Sequence, residues 1–236
     1  RHTRLDHRID WAGAALLSTS LVPLLLVAEQ GREWGWGSTN AIICYVIGVV
    51  AAIGFFWQEH RMGEEAILPL AMFRNKTVGV SSIASVLIGV AMFGGLAALP
   101  LYLQIVKGAT PTEAGLLLLP MTLGIMIGSI LSGQIISRTG RYRVFPIVGS
   151  ALLTISLFIF HYVAYDTPLW QTMIVMTMFG VGLGFNFQPL TLAVQNAVPP
   201  QQIGVATSTA TFTRQIGGTL GTAVFLSILF STASEK

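Results

Sequence analysis

Two stretches decide what this chain can fold into: Ala114–Ser137 and Val144–Tyr165, which run 24 and 22 residues without Asp, Glu, Lys or Arg. Between them sit Arg138, Arg141 and Arg143, within the segment GQIISRTGRYR (Gly133–Arg143). A helix needs about 20 apolar residues to cross a hydrocarbon core of roughly 30 Å, so each stretch is long enough to span a bilayer. Further charge-free runs cover Trp11–Ala28, Trp34–Gln58, Thr77–Val106 and Thr167–Thr213. The last is too long for one crossing. NAVPPQQ (Asn196–Gln202) divides it, because two prolines and three amides cannot continue an apolar helix cheaply. Its second part continues through Arg214 towards Phe230, so seven transmembrane helices are expected.

Composition agrees with that count and narrows the functions available. Only 10% of the 236 residues are charged, against about 25% in a soluble domain, and the mean hydropathy is +0.71. The formal charge of +3 includes no basic block suited to nucleic acid. Cys44 is alone in an apolar run, so neither a disulfide framework nor a CxxC metal site is expected. The histidines, His2, His7, His60 and His161, form no HExxH pair; no G-x-S-x-G elbow occurs, and nothing calls for a cofactor. The reading is an all-α membrane protein rather than an enzyme, with membrane lipid as its solvent. The chain opens on Arg1 rather than Met, and RHTRLDHR is no signal peptide, which reads as an internal piece of a longer polypeptide.

Lys and Arg placement orients the bundle. Arg1, Arg4, Arg8, Arg61, Arg74, Lys76, Arg138, Arg141 and Arg143 fall on one side, and Arg32, Lys107 and Lys236 on the other. The richer side, with the amino end and the GQIISRTGRYR loop, is expected to be cytoplasmic. Trp34 and Trp36 suit an outer aromatic belt. HRMGEEAILPLAMFRNK (His60–Lys76) mixes charges with Ile67, Leu68, Leu70, Met72 and Phe73. It is either an amphipathic surface segment or a plain loop broken by Pro69.

Small and polar residues inside the spans carry the rest. Gly124, Gly128 and Ser132, then Gly180 and Gly184, then Gly217 and Gly221 recur every four residues, which lets helix backbones approach closely. The sixth span holds Asn186, Gln188, Gln195 and Asn196; the seventh aligns Thr207, Thr211, Arg214, Gly218 and Gly221 on one stripe, with Gln215 beside them. An arginine at a helix centre costs about 2.5–3.5 kcal/mol on the insertion scale, so Arg214 must face protein or water. Two roles fit: a snorkelling side chain near the cytoplasmic end, or a group lining a transport path with Asn186, Gln188, Thr211 and Gln215.

GQIISRTGRYR resembles the loop signature of the major facilitator superfamily, G-x-x-x-D-R-x-G-R-[RK]. Gly133, Arg138, Gly140 and Arg141 match; Ser137 stands at the acidic position and Tyr142 at the last basic one, with Arg143 one residue late. IDWAGAALL (Ile9–Leu17), LPLYLQIVKGATPTEAGLLLLP (Leu99–Pro120), GVGLGFNFQP (Gly180–Pro189) and TRQIGGTLGTAV (Thr213–Val224) are similar to the fourteen-helix drug:proton antiporter branch.

The resemblance implies a partial facilitator bundle of seven helices with a cytoplasmic amino terminus. Residues 1–9 would be a cytoplasmic linker, 10–59 the two extra helices between the halves, 60–76 a second linker, and 77–236 five of the six helices of the carboxyl-terminal half. It implies proton-driven export of small hydrophobic compounds by alternating access, in the plasma or inner membrane of a bacterium, together with an amino-terminal half of the same polypeptide. The loop would act as a conformational gate, without the charge relay that an acid at Ser137 would supply. No acid is expected inside a span, since Asp10, Glu113 and Asp166 lie at ends. Cationic-drug members often carry one in the helix that corresponds to Ala114–Ser137; its lack here weakens a strict organic-cation cargo and leaves neutral or anionic hydrophobic compounds open. A facilitator-fold carrier of a lipid, siderophore or metabolite, or a non-transporting membrane protein, is the alternative.

Overall fold

A computed structural model describes residues 10–62, 70–163 and 166–233. The expected linker at 1–9 and residues 63–69 of the linker at 60–76 lie outside the described residues. Among the described residues eight α-helices follow in order: α1 Trp11–Trp34, α2 Thr39–Met62, α3 Lys76–Ile105, α4 Pro111–Leu117, α5 Leu119–Thr139, α6 Val144–His161, α7 Leu169–Asn196 and α8 Ile203–Ala233. Short 3-10 turns at Leu70–Arg74 and Pro200–Gln202 lead into α3 and α8. Six spans among the described residues are long and apolar enough to cross a membrane, α4 and α5 counting as one of them. The seventh expected crossing is the 31-residue α8.

Several boundaries differ from the charge-free runs. Helix α1 continues to Trp34, and Gly35, with φ +83°, provides the left-handed turn into α2. Backbone hydrogen bonding does not stop where charge begins. For the same reason α2 passes Gln58 and carries Glu59 in its last turn, at 1% exposure. Leu118 separates α4 from α5 two residues before Pro120, which cannot donate to the helical ladder. Thr110 caps α4 reciprocally with Glu113: the Glu113 N–H donates to Thr110 Oγ1 at 3.3 Å, and the Thr110 N–H to Glu113 Oε2 at 2.8 Å.

The chain divides into two compact units, one built on α1 and α2 and the other on Val80–Leu226. In the first, α1 and α2 pack as an antiparallel hairpin in which a Cβ on Gly48 would lie 3.1 Å from the Ser20 carbonyl oxygen. Asp10 caps α1 by accepting from the Gly13 N–H at 2.8 Å, and Gln58 Nε2 donates to the same carboxylate oxygen at 3.2 Å. Val46, Val50, Ile53 and Trp57 form an exposed row along α2. Apolar side chains on an outer face are what a lipid solvent favours.

In the second unit, three helix pairs meet backbone to backbone at glycine. On α5 and α7, added Cβ atoms at Gly124 and Gly128 would lie 2.6 and 2.7 Å from the carbonyl oxygens of Thr177 and Val181. Gly180 and Gly184 reciprocate against the carbonyls of Met121 and Ile125. On α3 and α8, Gly217 abuts the Val86 carbonyl and Gly221 lies against Val90, while Gly89 abuts the carbonyl of Arg214. Gly149 of α6 and Gly182 of α7 face one another in the same way, at 2.8 and 3.0 Å from each other's carbonyl oxygen. Without a hydrophobic drive between helices in lipid, such close dispersion contact is a main source of cohesion. Around these contacts Leu103, Met121, Met176, Phe179 and Leu183 close a core.

Candidate functional site

Two polar places stand out in the second unit. The first is the end of the bundle that carries the α5–α6 loop. Helix α5 stops at Gly140, whose φ of +67° lets its N–H donate to the Ile136 carbonyl at 2.7 Å. Arg138, Arg141 and Arg143 are exposed beyond it. Ser137, at the acidic position of the signature, turns its hydroxyl back to the Gln134 carbonyl at 2.8 Å, so it offers the arginines no counter-charge. Beside the loop lies a cavity of about 440 Å³ lined by Gly133, Ser137, Gly140, Tyr142, Gln188 and Asn196, among others. Gln188 lies across Gly133, where an added Cβ would be 3.4 Å from its Cγ. Gly133 of α5 and the Gln188 amide of α7, 55 positions apart in sequence, thus line one cavity.

The second place is the row of polar groups on α8. Gln195 of α7 donates from Nε2 to Thr207 Oγ1 at 2.8 Å, while the Thr211 hydroxyl donates to the Thr207 carbonyl at 3.0 Å. One turn further in, the Arg214 guanidinium lies 4.8 Å from the centre of the Phe187 ring. Arg214 is half-buried, and Thr211 and Gln215 are exposed. The stripe read from sequence divides here: its other members, Gly218 and Gly221, are buried against Phe93 and Val90 of α3.

Asn186 is positioned differently from the residues it was grouped with. It is 2% exposed. Its Nδ2 donates to the Gly182 carbonyl at 2.8 Å and its Oδ1 accepts from Ser150 Oγ of α6 at 3.4 Å. Both ends of the amide are used within the α6–α7 contact. Phe187 was not singled out from sequence; three phenylalanines in FGVGLGFNF look alike until the turn of the helix is known.

A further cavity, about 430 Å³, lies between α3, α6, α7 and α8 and is apolar apart from the Tyr102 hydroxyl. Gly94 opens onto it, with nothing within 4 Å of where its Cβ would be. Among the described residues no cluster of His, Cys, Asp or Glu could hold a metal ion.

Long apolar helices with lipid-suited outer faces define a multi-pass membrane helix bundle. Residues 11–222 match the Major Facilitator Superfamily, and the chain belongs to that family. It is 40% identical over 225 residues to a tetracycline resistance determinant of Streptomyces rimosus, a match covering 95% of this chain and 65% of that protein. It is 32% identical over 237 residues to multidrug resistance protein 3 of Bacillus subtilis, covering 98% and 46%. To an uncharacterized MFS-type transporter of Mycobacterium tuberculosis it is 36% identical over 219 residues, covering 92% and 32%. The chain therefore spans from about a third to just under two thirds of the length of these relatives.

Proposed function

We propose that this chain forms part of a fourteen-helix drug:proton antiporter that exports small hydrophobic compounds by alternating access, rocking one half against the other around a midplane site. In this reading α1 and α2 are the extra pair, α3 to α8 supply five of the six helices of the carboxyl-terminal half, and an amino-terminal half of the same polypeptide completes the cavity. The bundle sits in the cell membrane of a bacterium with the α5–α6 loop in the cytoplasm, where Arg138 and Arg141 help to hold the inward side closed. Gln188, Thr211, Arg214 and Gln215 line the path; Asn186, used up between α6 and α7, supports it.

One observation carries the reading: an arginine and a row of hydroxyls lie within otherwise apolar helices of a facilitator-family chain. Its relatives named for tetracycline and multidrug resistance support small hydrophobic cargo as the class. The test is transport by the full-length protein in liposomes under an imposed pH gradient. Accumulation of a hydrophobic fluorescent drug should follow the gradient and collapse with a protonophore. Uptake indifferent to the gradient would remove antiport from the proposal.

A further inference from the structure

Arg214 is a charge carried well inside a long helix. It lies 11 residues into α8, roughly 16 Å along the axis at 1.5 Å per residue. Phe187, the ring it covers, lies nine residues before the end of α7, roughly 14 Å by the same measure. Both residues lie inside helices of 28 and 31 residues, each longer than a roughly 30 Å hydrocarbon core requires. Among the described residues the guanidinium forms no ion pair and no side-chain hydrogen bond; its contact is the face of Phe187. A ring satisfies one face of the planar group and none of its five N–H donors.

Among the described residues none of the groups in the neighbouring row accepts from it. The Thr211 hydroxyl is engaged with the Thr207 carbonyl, and the Thr207 hydroxyl receives Gln195 and bonds the Ile203 carbonyl. The Arg214 carbonyl lies against Gly89 of α3. A half-buried guanidinium within a long apolar helix, stacked on an aromatic ring, has the charge and planarity that suit a planar anion. A carboxylate matches the fork bidentately, and Phe187 offers apolar contact to the body of the same molecule.

We infer that Arg214 is a specificity-determining residue of the transport path, and that the preferred ligand is a hydrophobic compound bearing a carboxylate, with its anionic group on the Arg214 fork and its apolar body beside Phe187. The inference rests on the reading of the chain as the wall of a transport path and adds the charge of the cargo.

The experiment compares 1-pyrenebutyrate with its methyl ester, an apolar pair that differs in the one charge. Binding to the full-length protein in nanodiscs is measured at equilibrium by pyrene fluorescence and corrected for partitioning into empty nanodiscs. The wild type should hold the carboxylate at least about 10-fold more tightly than the ester, about 1.4 kcal/mol. Arg214→Gln should abolish that ratio and leave ester binding within about 2-fold. Arg214→Lys keeps the charge and loses the fork; it should retain a reduced preference for the acid, which keeps the test decisive should the glutamine variant not fold. A wild type without preference, or a preference that survives Arg214→Gln, overturns the inference. Equal loss of both probes in a folded Arg214→Gln or Arg214→Lys variant also overturns it, since the arginine would then serve the structure. Because binding is read without a gradient, failure of antiport leaves this result standing, and the reverse holds as well.

Discussion

The carbonyl oxygen of Met121 occupies the space that a Cβ on Gly180 would need. A methyl group there can enter only if α5 and α7 separate along their length, because the obstacle is backbone and not a side chain that can rotate away. Overpacking of this kind costs about 1–3 kcal/mol. Gly180→Ala should lower the resistance of the detergent-solubilised protein to denaturant by an amount in that range. Gly94→Ala, whose methyl would meet open space, should stay within about 0.5 kcal/mol of the wild type. Equal effects of the two changes would mean that the glycine contact does not hold the pair.

Asn186 makes a second prediction about packing. Asn186→Ala removes a bond within α7 and one to Ser150 of α6, and interhelical polar contacts in membranes are worth about 0.6–2 kcal/mol. Stability should fall by about that much. Transport per folded molecule should stay within about 2-fold, since the amide is used inside the helix contact and is closed to the path. A large loss of transport at normal abundance would move Asn186 into the path.

Charge placement predicts topology. In a Cys44→Ser background, a cysteine at Thr112, exposed in the first turn of α4, should react with an impermeant maleimide applied to intact cells. One at Thr139, exposed at the end of α5, should react only after the membrane is opened. The opposite pattern would invert the bundle, and labelling of both from outside would break the helix count.

The loop arginines separate gating from orientation. Arg138→Ala with Arg141→Ala should cut transport by about 10-fold or more while membrane abundance falls less than 2-fold, an effect of roughly 1.4 kcal/mol or more on the inward-closed state. Abundance and transport falling together would confine these residues to setting topology.

The spans were legible because lipid imposes a simple rule on sequence: an uncharged run of sufficient length, interrupted by charge or by a cluster such as NAVPPQQ. Helix ends obey a different rule. Hydrogen bonding carries α1 to Trp34 and α2 past Glu59, where charge alone suggested a stop. Four-residue spacing identified the glycines, but it could not say that Gly217 meets Val86 of α3 while Gly180 meets Met121 of α5. The candidate site suffered from the same gap. Spacing set Asn186, Gln188 and Gln195 together as polar members of one helix. The structure turns the first towards Ser150, sets the second across Gly133 and bonds the third to Thr207. Period reports what shares a face; it does not report which neighbour that face meets.

Gly89 gives the arginine a mechanical consequence. A missing side chain on α3 brings its backbone against the carbonyl of Arg214 itself, and three residues on, Gly217 meets Val86. The two helices touch backbone to backbone at Gly89 and Gly217, with Phe93 and Val90 of α3 packed against Gly218 and Gly221 beside them. A rotation of α8 would press its backbone on that of α3 at both glycines. A load on Arg214 would thus reach α3 through main chain, which is stiffer than any side-chain contact.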